Sequence, residues 1–357
     1  MTGPRLGFFS RLLEPVPAAE RYRFALEQID QAERVGLASA WVAQHHFGEE
    51  EGGLPSPFVL LAAAAQRTSR IALATGVVTL PLDDPLRAAE DAAVLDQLSG
   101  GRVQLGVASG GTPSSFAAFG QDADRRREIY ADHLEVFTDA LAGRGVRGTG
   151  SRIYPPAGDL AERIWQATFS VDGGRRAGLN GDGLLLSRTQ PRSADAPDAP
   201  LHDLQLPIVA AYRAALPAGA PVRVLASRTA LVVDEGDRTR ALELAEAGLR
   251  HLAETMFGLD TRGLGIDELV TITDTHVGTV DEVVASLGAD ATLAEVSDVS
   301  FQVHSIAATH ELTLRSLQLL AEEVAPRLGF ATGPDAARDL QNAHRTLAVS
   351  HSSEGTP

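Results

Sequence analysis

Cysteine is absent from this 357-residue chain, and aromatic residues make up only 5% of it. Without cysteine there can be no disulfide, thiolate nucleophile, thiolate zinc site or Cys-bound iron–sulfur cluster, and the composition suits a reducing compartment. Positive charge is also scarce: 31 Lys and Arg stand against 47 Asp and Glu, for a net charge of −16. No basic stripe is offered to phosphodiester backbones, so a nucleic-acid partner is not expected. The run Arg125-Arg126-Arg127 is short, lies between Asp124 and Glu128, and reads as a solvated helix face. Long apolar runs are missing too. None reaches membrane-spanning length, and MTGPRLGFFSRLL is too short and interrupted for a signal peptide. The expectation is a cytoplasmic protein with no membrane partner.

What the chain does have is 44% hydrophobic residues, enough for a sizeable core, arranged as short apolar runs alternating with longer segments of helical period. Strands are predicted at Arg5–Ser10, Ser39–Ala43, Ile71–Thr75, Val103–Ala108, Ile164–Phe169, Gly183–Ser187, Val222–Val233 and Val299–Val303. Helices are predicted at Ala18–Val35, Ser56–Arg67, Pro85 to about Leu98 behind an Asp84 cap, Arg125–Ala142, Gly173–Leu179, Leu204–Leu216, Glu235–Thr255, Thr279–Ala291 and Ala308–Val324. Eight strand–helix units imply a parallel sheet closed into a (β/α)8 TIM barrel. An open doubly wound sheet would need an early phosphate-binding glycine pattern, which Gly100, Gly101, Gly106, Gly110 and Gly111 do not supply. Residues 1–330 read as one domain, with Phe257–His276 as an insertion before the last strand–helix unit. Residues 331–357 read as a polar, flexible tail with room for one short helix.

In such a barrel the carboxyl ends of the strands carry chemistry. The stretch ASAWVAQHHF (Ala38–Phe47) delivers His45 and His46 to that end. The pair suits acid–base work, for which the ordinary imidazole pKa lies close to neutrality, or hydrogen bonding within a loop. Metal ligation fits poorly: the two are adjacent rather than i, i+4, and Glu49–Glu51 reads as solvated loop. Gly76-Val77 leaves the third strand, where a glycine lets another group approach the backbone. Ser109 ends the fourth strand in a Gly-rich turn. Ser170-Val171-Asp172-Gly173-Gly174-Arg175-Arg176 opens a helix with a hydroxyl, free amides and two arginines. That combination suits a phosphate, and equally an ordinary helix cap with surface arginines.

The motifs GLASAWVAQHHF (Gly36–Phe47), ALATGVVTLPLDDPLRAAEDAAVLDQLSGGRVQLGVASG (Ala72–Gly110), FSVDGGRRAGLNGDGLLLS (Phe169–Ser187) and VGTVDEVVASL (Val277–Leu287) carry a resemblance. The chain resembles the bacterial luciferase-like flavin-dependent monooxygenases over about residues 5–326. That resemblance implies the same barrel and the use of reduced FMN or, less readily, a deazaflavin. It implies that His45 is the catalytic histidine and His46 its neighbour. It further implies a non-prolyl cis peptide at Gly76–Val77 beneath the flavin ring, a phosphate ligand at Ser170, and Val171, Asp172 and Gly173 in the same turn. Ser109 stands where the luciferase has a phosphate-contacting Arg, so Arg175 or Arg176 is expected to meet the phosphate charge instead. Gln44, Ala108 and Phe169 are further departures from the luciferase pattern, and they argue against a long-chain aldehyde substrate or light emission.

The implied activity is a two-component monooxygenase, likened to relatives that take reduced FMN from a separate NAD(P)H-dependent flavin reductase and use O2 to oxygenate a small organic substrate. A homodimer is implied as well. A deazaflavin-dependent oxidoreductase and a flavin-binding protein without turnover are the alternatives.

Overall fold

The computed structural model describes residues 3–48, 51–193, 195–196, 199–303 and 308–344. Strand β1 (Arg5–Ser10) leads through α1 (Ala18–Arg34) to β2 (Ser39–Val42), α2 (Pro57–Ala65), β3 (Ala72–Thr79), α3 (Pro85–Ser99) and β4 (Val103–Ala108). Then come α4 (Pro113–Ala118), α5 (Arg126–Leu141), β5 (Ile164–Ala167), α6 (Val171–Asn180), β6 (Gly183–Leu186), α7 (Leu201–Ala215), β7 (Val224–Val232), α8 (Arg238–Phe257) and α9 (Ile266–Ile272). The chain continues through β8 (Thr275–Gly278), α10 (Val280–Gly288), β9 (Asp298–Gln302), α11 (His310–Leu319), α12 (Ala325–Leu328) and α13 (Pro334–Asn342). Strands β1 to β7 and β9 pair in parallel, and β9 bonds both β1 and β7 to close an eight-stranded barrel.

The insertion supplies a strand that the sequence pattern did not reveal. β7 is nine residues long and buried throughout. Its first part pairs with β9 through Leu225–Thr229, and its end, Thr229–Val232, pairs with β8. β8 is the short polar segment THVG and shows no strand period of its own; the overhang of β7 recruits it. β3 also runs beyond its predicted end, with a register break against β4 between Thr75 and Val78.

The barrel interior is filled from both sides. Trp41 and Trp165 meet edge to face, with ring centroids 5.6 Å apart, among Ala72, Ala74, Leu185 and Leu225. A Cβ on Gly183 would lie 2.2 Å from the Trp165 ring, so this indole fits only against a glycine. Each buried indole contributes roughly 4–6 kcal/mol at about 25 cal/mol per Å².

The motif Asp96–Arg102 lies at the amino end of β4, away from any strand-end chemistry. The Arg102 guanidinium donates to Ser99 O, Thr68 Oγ1, Ile71 O, Ala65 O and Thr68 O at 2.7–3.1 Å. Asp96 pairs with Arg163 at 2.8 and 3.0 Å, both buried. These are stability contacts at the bottom of the barrel. The one short helix allowed for in the polar C-terminal segment is present as α13. It packs Ala336, Ala337 and Leu340 inward, and Leu340 joins the tryptophan cluster. His344 Nε2 contacts Asp159 Oδ2 at 2.8 Å. Residues 345–357 lie outside the described residues. Among the described residues no helix is long and apolar enough to cross a membrane.

Removing one member of a buried pair leaves an uncompensated charge. Asp96→Ala is expected to cost about 3–5 kcal/mol in urea unfolding. A loss below about 1 kcal/mol would contradict the structural role given to this motif.

Candidate active site

β2 is buried at every position, and it releases the chain at Ala43 into Gln44, His45 and His46. Gln44 fixes that exit. Its Oε1 accepts from Thr79 N–H at 2.7 Å, and its Nε2 donates to Asp83 Oδ2 at 3.0 Å and Pro55 O at 3.3 Å. One amide therefore ties the histidine loop to the end of β3, two residues past Gly76–Val77. That bond is a non-prolyl cis peptide, at the register break. A Cβ on Gly76 would sit 2.9 Å from the Phe9 ring, so the glycine also makes room for the barrel floor. An amide both donates and accepts, whereas an ionised carboxylate only accepts. A Glu at position 44 would place a second carboxylate against Asp83.

His45 donates its backbone N–H to Leu54 O at 3.0 Å. Its ring Nδ1 is buried against Gly52 and has no partner among the described residues. His45 as a whole residue is half-buried. Burial, then Arg11, His46 and Arg188 nearby, pull its pKa down to about 3. This corrects the expectation of an imidazole poised near neutrality: His45 is held neutral. His46 is also lowered by burial, against the pull of Asp83, and its ring meets Phe119 edge-on at 4.8 Å. Phe47 and Phe119 extend an exposed aromatic rim there.

The loop over His45 is anchored. Arg11, directly after β1, donates to Glu51 O, and Glu51 Oε2 accepts from Thr112 Oγ1 at 3.0 Å. Arg188, just after β6, donates through Nε to Gln302 Oε1 at 2.8 Å and through Nη1 to Thr229 Oγ1 at 3.4 Å. Burial, followed by Arg11, lowers the Arg188 pKa to about 9. Arg11 and Arg188 were not singled out from the sequence. Each lies within two residues of a strand end, close to the position that drew attention to His45, and that rule applied to all eight strands would have found both.

On the β5 side, Ser170 is the N-cap of α6, which starts at Val171 rather than Gly173. Ser170 Oγ accepts from Gly173 N–H at 3.1 Å. Val171 and Asp172 are exposed in the first turn, with amides free of intrahelical partners. Gly173 is buried against Thr168. Arg175 is exposed and has no polar partner among the described residues. Arg176 does not meet the phosphate expectation: its Nε bonds Gln166 Oε1 at 2.9 Å and its guanidinium stacks on Tyr130. Ser109 is half-buried beyond β4, beside the β5 exit. The hydrogen bonds thus link Arg11, Glu51 and Thr112 on one side, and Gln44, Pro55, Thr79 and Asp83 on the other, with His45 bound to Leu54. Ser109 and the Ser170 turn share the rim through their neighbouring parallel strands. Among the described residues no group of three or more His, Asp or Glu is placed to hold a metal ion.

Fold and rim together describe a closed α/β barrel whose candidate site lies at the carboxyl ends of its strands. The profile of the luciferase-like monooxygenases matches residues 8–287, and the chain belongs to that family. It is 31% identical to 4-hydroxyprotoasukamycin monooxygenase of Streptomyces nodosus subsp. asukaensis over 331 residues, 85% of each chain. With other curated relatives, such as limonene 1,2-monooxygenase of Rhodococcus erythropolis (34% over 175 residues, 46% of this chain), it spans about half of their length, 45% in that case. The crystal structure of monooxygenase RslO1 from Streptomyces bottropensis superposes with a TM-score of 0.73 at 25% identity, covering 91% of this chain and 99% of that one. Two more distant structures share the fold. One is the oxygenating constituent of 3,6-diketocamphane monooxygenase of Pseudomonas putida, in complex with FMN (TM-score 0.71, 18% identity, 93% of this chain and 100% of that one). The other is an F420-dependent secondary alcohol dehydrogenase (TM-score 0.67, 18% identity, 91% and 99%). The protein is accordingly an oxidoreductase of the monooxygenase class.

Two measurements follow from this geometry. Gln44→Glu is expected to destabilise the fold by about 1–3 kcal/mol. Because the two facing carboxylates raise a folded-state pKa, the deficit grows as pH rises from about 4 to about 7. A variant as stable as the parent at both values would contradict the Gln44–Asp83 contact. The His45 ring resonance in NMR should stay in its neutral position from about pH 8 to about pH 5. The unfolded chain takes that proton near 6.5, so His45 withdraws stability as pH falls below about that value. A midpoint near 6.5 in the folded protein would contradict the cationic setting.

Proposed function

We propose that this chain is a two-component monooxygenase that receives reduced FMN from a separate NAD(P)H-dependent reductase and oxygenates a small organic substrate. One oxygen atom of O2 enters the substrate and the other leaves as water; the two electrons come with reduced FMN. The observation that carries this reading is the make-up of the rim. An apolar floor of Phe9, Val77 and Ala167 lies over the tryptophan cluster. A cationic side of Arg11 and Arg188 flanks His45, and a capped helix start lies at Ser170. A flavin has matching parts: a flat apolar ring, a polar pyrimidine edge and a phosphate.

In this reading the Ser170 hydroxyl and the first-turn amides of Val171 and Asp172 hold the phosphate, with Gly173, whose N–H bonds Ser170 Oγ, closing the same turn and Ser109 alongside. Arg175, exposed in the same turn region, supplies charge. Gly76–Val77 supports the ring, and Gln44 holds that support in register with His45. Neutral His45, steadied by His46 and the Gly52 loop, offers a ring nitrogen to the reacting oxygen. Burial, and after it the repulsion from Arg11 and Arg188, keeps His45 neutral; a developing negative charge beside the two arginines offsets that repulsion, so its proton affinity rises as the charge develops. The loop anchored by Glu51 and Thr112 limits water at the mouth. For the proposed homodimer, Val59, Val94 and Leu98 give α2 and α3 an exposed apolar face; sedimentation at a single-protomer mass would remove that part of the reading.

The test pairs binding with turnover. Anaerobic titration should give tight binding of reduced FMN and weak binding of a deazaflavin; the reverse order would favour a hydride-transferring oxidoreductase on the same barrel. With reductase, O2 and a panel of ketones, aldehydes and sulfonates, His45→Ala should lose about 10²-fold or more in product formed, with peroxide release rising in its place. Unchanged product yield would remove His45 from the mechanism.

A further inference from the structure

Among the described residues, the half-buried Arg188 guanidinium meets no carboxylate and no backbone carbonyl. Arg5, Arg163, Arg192 and Arg228 each meet a carboxylate. Arg102 and Arg223 bond backbone carbonyls. Arg188 has neither among the described residues. Its two hydrogen bonds go to neutral side-chain oxygens, Gln302 Oε1 and Thr229 Oγ1. A guanidinium carries five N–H donors, so most of them remain unused in a half-buried side chain at the barrel mouth. This happens in a chain with a net charge of −16, where carboxylates are plentiful elsewhere.

A second donor stands beside it. Gln302 is fully buried on β9, and accepting from Arg188 fixes its amide with the oxygen toward the guanidinium. Its Nε2, on the same amide, is buried without a partner among the described residues. Two adjacent groups thus present N–H donors with no acceptor between them, and Arg11 and neutral His45 add no negative charge. Buried donors left this way are costly unless something accepts from them. The complementary partner is an oxyanion, whose lone pairs take several charge-assisted bonds at once.

We propose that Arg188 and Gln302 Nε2 form a preformed subsite for an oxyanion at the barrel mouth. The oxyanion is either an ionised oxygen of the organic substrate, such as a carboxylate, or the anionic pyrimidine edge of reduced flavin. This rests on the monooxygenase reading only for the identity of the second source; the donor set is a property of the chain alone. Arg188 sits on the β6 exit and Gln302 on β9, across the barrel from β3 and its Gly76–Val77 bond. A ligand resting on both sides is held by its charged end and left with its neutral part toward His45.

The experiment uses the whole chain without cofactor, with benzoate and its neutral counterpart benzamide as probes in calorimetry and thermal shift. Oxidised and reduced FMN are then compared in anaerobic titrations. The variants are Arg188→Met, Arg188→Lys and Gln302→Leu. If the substrate is the source, benzoate binds and raises the melting temperature, benzamide does neither, and Arg188→Met weakens benzoate at least about tenfold. In that case Arg188→Lys keeps part of the affinity, and Gln302→Leu loses several-fold. If reduced flavin is the source, Arg188→Met narrows the preference for reduced over oxidised FMN by at least about tenfold, and benzoate is indifferent. Should Arg188→Met fail to fold, the Gln302→Leu and Arg188→Lys comparisons carry the same readouts. Equal benzoate, benzamide and FMN affinities in parent and variants would overturn the proposal. Charge-selective binding in a protein that forms no oxygenated product would sink the monooxygenase reading and leave the subsite standing.

Discussion

Closure of the barrel by β9, which bonds β1 on one side and β7 on the other, is the constraint on which the rest of this structure depends. Because every pairing is parallel, closure sends all eight carboxyl ends to one rim. Residues separated by nearly three hundred positions, from Arg11 to Gln302, then share one mouth. The same closure sends the amino ends to the other face. There the polar residues of the Asp96–Arg102 motif and His344 knit turns and helices together.

The two faces treat charge differently. At the amino face, buried arginines are answered by carboxylates or wrapped in carbonyl oxygens, which offsets their desolvation. At the rim, Arg188 has only neutral partners among the described residues, and His45 is kept neutral by burial first and then by its cationic neighbours. A fold selected for stability alone would pair such a charge or replace it. Local electrostatic cost concentrated at the end of a barrel where chemistry occurs is the pattern of a site shaped for a ligand.

Much of this was legible in the sequence, for physical reasons that differ by element. β1 and β4 are short apolar runs between clear turn signals, and their bounds were read without error. Asp84 before Pro85 announced α3, and its side chain does accept from Leu86 and Arg87 N–H. β8 was illegible because its strand state comes from the overhang of β7 and not from its own pattern. A short helix near α13 was expected, but its packing was not legible: its composition is polar and its inward residues are mostly alanines, which carry little hydrophobic signal. At the site, His45, His46 and Gly76–Val77 stood out by position and resemblance. Arg11 and Arg188 did not, since an arginine at a strand end looks like any surface cation until topology shows what surrounds it. The environment of His45 was likewise invisible: a pKa depends on neighbours brought from β1 and β6, which no local motif contains.

The proposed chemistry needs a flavin lying across the rim from the Ser170 turn to the Gly76–Val77 bond. A crystal structure of the chain grown with FMN tests that most directly. The phosphate is predicted within hydrogen-bond reach of Ser170 Oγ and the first-turn amides of α6, with the ring over Val77 and its pyrimidine edge toward the arginine side. Density for FMN at any other place, or a rim that stays empty of it at saturating concentration, would contradict the account.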